Sequence, residues 1–237
     1  MVETLLHIKE ISKTFGNQPV FERLSLDIHR GEIFGLLGLN GVGKTTLFKC
    51  ILKFIGLSAG EILYQGKRLD FPVIHEKIGY LPEFFLPPAE FTAKEYLNLL
   101  QIAVTGSRLS VEMLLEKTGL DPNKKIHEYS RGMIQRLGLA IALLKDPEFL
   151  MLDEPTLGLD PLARQKLLSW LQELNQRGKT ILLSSHDFLQ VEKLCHRVAV
   201  LHQGAIQFTG CIADYVQKQG STSLEEGFLK EVGFNHA

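Results

Sequence analysis

Gly38-Leu39-Asn40-Gly41-Val42-Gly43-Lys44-Thr45 constrains this chain more than any other stretch. It satisfies G-x-x-x-x-G-K-[ST] between a strand pattern and a helix pattern, the context that gives such a loop its meaning. Residues 33–38 are almost wholly apolar, as in a strand buried on both faces. From Lys44 the pattern turns helical through about Ile55. Each part of the loop has a physical reason. Glycines let the backbone curl until successive N–H groups point at phosphate oxygens. The helix that follows brings its positive N-terminal end to the same spot. Lys44 adds a point charge near β- and γ-phosphates, and the Thr45 hydroxyl can ligate Mg²⁺. The alternative, a glycine-rich turn without ligand, fits this context poorly.

Residues 149–154, Phe-Leu-Met-Leu-Asp153-Glu154, supply a second element. A buried apolar strand ending in a carboxylate carries Asp153 to the sheet edge where ligands of α/β sheets bind. Asp153 can hold a Mg²⁺ shell through water. Glu154 can polarise an attacking water, either as general base or as orienting group. Alone, Asp-Glu before Pro155 would read as an exposed turn; beside a phosphate loop it reads as half of a triphosphatase site.

Elsewhere, residues 4–11 and 20–28 alternate apolar and polar, the period of half-buried strands. Gln65-Gly66 suggests a hairpin, and residues 78–81 a further strand. Character changes at Pro82. Phe84-Phe85-Leu86-Pro87-Pro88 reads as a rigid apolar loop, either an exposed wedge that meets another protein or an ordinary buried loop. Thr92-Ala-Lys-Glu95 is a capping-box helix start, and helical patterns cover 96–103, 111–118 and 131–144. Strand patterns at 149–152 and 180–184 flank a helix near 162–177. Residues 197–202 and 205–208, joined by Gln203-Gly204, form a closing hairpin, and 223–231 is a short amphipathic helix or a frayed end. The expectation is an α/β fold with a largely parallel central sheet over residues 1–83 and 146–237. A helical insert occupies 84–145.

A formal net charge of −1, with no long run of either sign, argues against nucleic acid as a main partner. The three cysteines, Cys50, Cys195 and Cys211, show no metal-ligand spacing and suggest reduced thiols. The first residues lack a basic region followed by an apolar stretch, so no signal peptide is evident. The apolar run at 137–144 is far shorter than the roughly 18 residues that span a bilayer.

The segment Tyr129-Ser130-Arg131-Gly132-Met133-Ile134-Gln135 precedes a helix pattern and resembles the signature motif of ATP-binding cassette (ABC) ATPases. Ile78-Gly-Tyr-Leu-Pro-Glu83, Thr156-Leu-Gly-Leu-Asp160 and Ser184-Ser-His186 fall in that family's order and spacing. The resemblance spans essentially the whole chain. Within the family, the sequence is most similar to nucleotide-binding subunits whose membrane domains are separate polypeptides.

The resemblance implies a P-loop ATPase core with an N-terminal antiparallel β subdomain and a helical signature subdomain. It implies ATP and Mg²⁺ as ligands. Gly38, Leu39, Asn40, Gly41, Val42, Gly43, Lys44, Thr45 and Thr46 would bind the nucleotide, with Phe15 stacked on adenine. Thr45, Asp153 and Glu83 would face the metal, although glutamine is usual where Glu83 stands. Lys44, Glu154 and His186 would be catalytic, His186 contacting the γ-phosphate. Ser130, Gly132 and Asp160 would reach the ATP of a second cassette. Tyr129, Arg131 and Met133 depart from the commonest signature, and Arg131 either adds charge there or sits on the surface. The partners implied are a separate transmembrane permease and a second ABC subunit, at the cytoplasmic membrane face. The competing readings are a soluble cassette ATPase acting on ribosomes or DNA, and a nucleotide-sensing module without turnover.

Overall fold

Two long strands, β1 (Thr4–Phe15) and β2 (Gln18–His29), pair antiparallel. Leu6 and Ile8, and Leu24, Leu26 and Ile28, are buried at every second position, as strand geometry dictates, while the buried Ile11 follows a register shift where Glu10 lies at φ 44°. β3 (Ile33–Leu37) is buried at every position, and α1 (Lys44–Ile51) follows the glycine-rich loop. β4 (Ala59–Tyr64) and β5 (Lys67–Arg68) are joined through Gln65 and Gly66, both at positive φ. Next come α2 (Phe71–Lys77), β6 (Ile78–Leu81), α3 (Ala93–Ala103), α4 (Val111–Thr118), α5 (Arg131–Leu143), β7 (Phe149–Asp153) and α6 (Pro161–Gln176). The chain continues through β8 (Thr180–Ser184), α7 (Phe188–Leu194), β9 (Arg197–His202), β10 (Ala205–Cys211), α8 (Ile212–Lys218) and α9 (Leu224–Glu231).

This computed structural model describes residues 3–103 and 109–233. It divides into two units, Met1–Phe71 with Thr180–Ala237, and Pro72–Lys179. In the first, β2-β1-β4-β5 form an antiparallel sheet. A second sheet places β3 parallel between β8 and β9, with β10 antiparallel to β9. In the second unit β6 and β7 pair in parallel and α5 packs against them. The α/β architecture, mostly parallel sheet and N-terminal antiparallel subdomain expected from the sequence are all present. Residues 104–108 of the helical insert lie outside the described residues, as do Met1 and Val2.

Some boundaries differ. The helix after the loop ends at Ile51 rather than near Ile55, because Lys53 turns left-handed (φ 57°) and the Phe54 N–H returns to the Lys49 carbonyl at 2.9 Å. The capping box forms as expected. The Thr92 N–H donates to Glu95 Oε2 at 2.7 Å and the Glu95 N–H to Thr92 Oγ1 at 3.1 Å. Packing of α5 onto the β6–β7 pair is close. A Cβ added at Gly79 would lie 2.2 Å from the Ala142 carbonyl oxygen and 2.9 Å from Leu150 Cδ2. Among the described residues no helix is long and apolar enough to cross a membrane.

Candidate functional site

The glycine-rich loop leaves the end of β3, and Lys44 opens α1. Gly43 caps that helix at φ 113°, and Gly41 lies at φ 80°, conformations that favour glycine. Space also selects glycine here. A Cβ at Gly38 would lie 2.6 Å from the Leu201 carbonyl oxygen, and one at Gly43 would lie 2.8 Å from Val20 Cγ1. The buried Lys44 ammonium donates back to the Gly38 carbonyl at 2.6 Å. No acidic side chain occupies the first turn of α1, so its N-terminal field remains suited to anions. A tight backbone cradle with one ammonium and an acid-free helix start fits a polyphosphate chain.

Beside this loop is a cavity of about 600 Å³ lined by Phe15, Val20, Gly41, Val42, Gln203 and Gly204. Phe15, expected to stack on adenine, is thus brought to the same cavity as Gly41 and Val42. Its ring is 51% exposed, and Lys13 Nζ lies 4.7 Å from the ring centroid. The Gln203-Gly204 turn, read from sequence only as a hairpin, forms part of the rim. Leu36 of β3 pairs with Ser184 of β8, so Gly38 and His186 each emerge two residues later at one sheet edge. Ser185 Oγ accepts the Asp187 N–H at 3.0 Å, and Asp187 caps α7. His186 is held exposed between them.

The acids belong to the other unit. Leu81 of β6 pairs with Leu152 of β7, so Glu83 and Glu154 leave one edge together, with Asp153 at the strand's end. Asp153 is 1% exposed and Glu154 5%. Burial raises the Tyr80 hydroxyl pKa, and the negative charges of Asp153 and Glu83 push it further up, which marks both acids as neighbours of one ring. Glu154 adopts φ 51°, a strained conformation for a non-glycine residue. Its carbonyl accepts from the buried Gln135 Nε2 at 3.3 Å and from the Leu157 N–H at 3.1 Å. Sequence reasoning missed Gln135; the only available signal was an amide within an apolar helical run.

The signature segment meets the 156–160 loop within this unit. Ser130 caps α5 by accepting the Met133 N–H at 3.3 Å. Its hydroxyl proton still has a donor's freedom. A Cβ at Gly132 would lie 3.0 Å from Leu159 Cδ2, so Gly132 and the loop to Asp160 are in close contact. Asp160 caps α6 by accepting the Ala163 N–H at 2.9 Å, a bond that holds its carboxyl below the usual range. The apolar loop divides. Phe84 and Leu86 are 73% and 93% exposed, whereas Phe85 turns inward, its Cδ1 3.2 Å from where a Gly138 Cβ would sit.

The profile of the ABC transporter family matches residues 21–157. An uncharacterised ABC transporter ATP-binding protein of Nostoc sp. (strain PCC 7120) is 40% identical over 209 residues, 85% of this chain. The chain spans only 62% of that relative's length. The Nod factor export ATP-binding protein I of Paraburkholderia xenovorans is 37% identical over 86% of this chain and 70% of its own. A solved structure of the ATP-binding subunit of an ABC transporter superposes with a TM-score of 0.87 at 33% identity. The match covers 96% of this chain and 99% of the other. Together with the loop, the acids and the signature segment, these matches lead to one conclusion: the chain belongs to the ABC transporter family, as one of its ATP-binding cassettes.

Proposed function

We propose that this chain binds and hydrolyses ATP, closing head-to-tail with a second cassette and driving substrate through separate permease subunits at the cytoplasmic membrane face. The observation that carries the reading is the Phe15 cavity running onto Gly41 and Val42 beside Lys44. The adenine stacks on the exposed ring, and the phosphates rest on the N–H groups of residues 38–46 and the Lys44 ammonium. Thr45, Asp153 and Glu83 offer the hard oxygen donors that suit Mg²⁺, which when bound neutralises phosphate charge. Water attacks the γ-phosphorus as the bond to the bridging oxygen breaks. Glu154 takes or directs the water's proton, and His186 holds the water against the γ-phosphate.

Ser130 and the acid-free start of α5 serve the ATP of the opposite cassette, with Asp160 nearby. Residues 84–145 act as the helical signature subdomain, and exposed Phe84 and Leu86 meet a cytoplasmic helix of the permease. The relative named for Nod factor export supports an export direction. The test compares nucleotide binding and phosphate release in Lys44→Ala and Glu154→Gln. Loss of binding in the first, and binding without release in the second, is the expected pair of results. Wild-type behaviour in both variants overturns the reading.

A further inference from the structure

We propose that Arg131 is a positioning residue that ties the exposed Phe84 ring to the Gly158 turn. Arg131 is the first residue of α5, where a positive charge opposes the helix dipole. It therefore does little for the helix that carries it. Its side chain lies instead along Gly158: a Cβ there would sit 2.7 Å from Arg131 Cδ and 3.0 Å from Cγ. Gly158 also lies at φ 78°. Glycine is required at this point both for its backbone and for the arginine stem beside it. At the far end, the Arg131 guanidinium carbon is 6.0 Å from the Phe84 ring centroid, within cation–π range. The neighbouring Gly132 presses on the same turn, 3.3 Å from a virtual Cβ to the Gly158 carbonyl oxygen. One side chain thus spans an outward-facing aromatic ring and the loop that ends at Asp160. If Phe84 meets a permease, as proposed above, its engagement is felt at that loop through Arg131.

The test needs neither nucleotide nor permease, so its failure is distinct from failure of the ATPase reading. Amide hydrogen exchange is followed at Leu157 and Leu159, whose N–H groups bond to the Glu154 and Thr156 carbonyls at 3.1 and 3.2 Å. Exchange at Leu150 and Leu152 in β7, within the same unit, reports retained folding. Arg131→Gly should speed exchange at the turn roughly five-fold or more, and Arg131→Lys should restore it. Phe84→Ala should speed the same amides, and should add nothing in an Arg131→Met background, which keeps the stem and removes the cation. Unchanged exchange at the turn in Arg131→Gly overturns the proposal. So does a Phe84→Ala effect that is absent, or equally large with and without the Arg131 cation.

Discussion

Glu154 holds a left-handed backbone directly before Pro155, where the proline ring further narrows the conformations open to it. Such a conformation costs about 1–3 kcal/mol and persists only where the surroundings impose it. Here Gln135 and the Leu157 N–H both grip the Glu154 carbonyl. Glu154→Gln keeps the side-chain shape and removes the carboxylate proposed to act on the attacking water. Phosphate release in that variant should fall about 10²–10⁴-fold, with nucleotide affinity unchanged in a binding titration. Gln135→Leu should lower unfolding free energy by about 1–3 kcal/mol in urea titration, because it strips a donor from a buried acceptor. It should slow phosphate release while leaving nucleotide binding intact. The placing of the glycine-rich loop between β3 and α1, and of Asp153 and Glu154 at the end of β7, was legible in the sequence because apolar strand patterns end there. Gln135 was not, since its role depends on the backbone angle of a residue 19 positions away.

At the scale of elements, what could be read was what carried a local signal. Thr92 and Glu95 announced α3, and alternation of apolar and polar residues announced β1 and β2 but not the register shifts within them. Three helices of seven residues each, α2, α7 and α8, were missed. They are too short for apolar periodicity to accumulate, and α2 buries none of its residues. The fraying point of α1 was missed because a left-handed lysine has no compositional mark. Thr92→Ala should destabilise by about 1 kcal/mol in denaturant titration, as lost N-caps do. Glu95 is held below the usual carboxylate range, first by the Thr92 N–H and then by Lys125. A depressed carboxyl contributes stability above its unfolded pKa and loses it as pH falls through the folded one. The stability gap between the chain and Glu95→Ala should therefore be full at neutral pH and close in acid, as pH-resolved unfolding would reveal.

At the scale of the whole molecule, the proposed cycle turns on association. Glu154→Gln with Mg-ATP should accumulate dimers in analytical ultracentrifugation, whereas Lys44→Ala should remain monomeric under the same conditions. Serine at both Phe84 and Leu86 should abolish recruitment to membranes carrying the co-expressed permease, without lowering ATP affinity. Phe85→Ser should instead destabilise the fold, because that ring packs inward toward Gly138. The sequence presented Phe84, Phe85 and Leu86 as one apolar run, and only the geometry separates the outward pair from the inward ring.

Gly79 leaves no room between strand and helix: even one methyl group there would collide with the Ala142 carbonyl. The helix that Ser130 caps is therefore clamped to β6, and through the β6–β7 pairing to the strand bearing Asp153, like two leaves of one plate. A tilt imposed on either leaf is shared by the other, so the groups proposed to grip a neighbour's nucleotide cannot drift independently of the acids proposed to serve the chain's own.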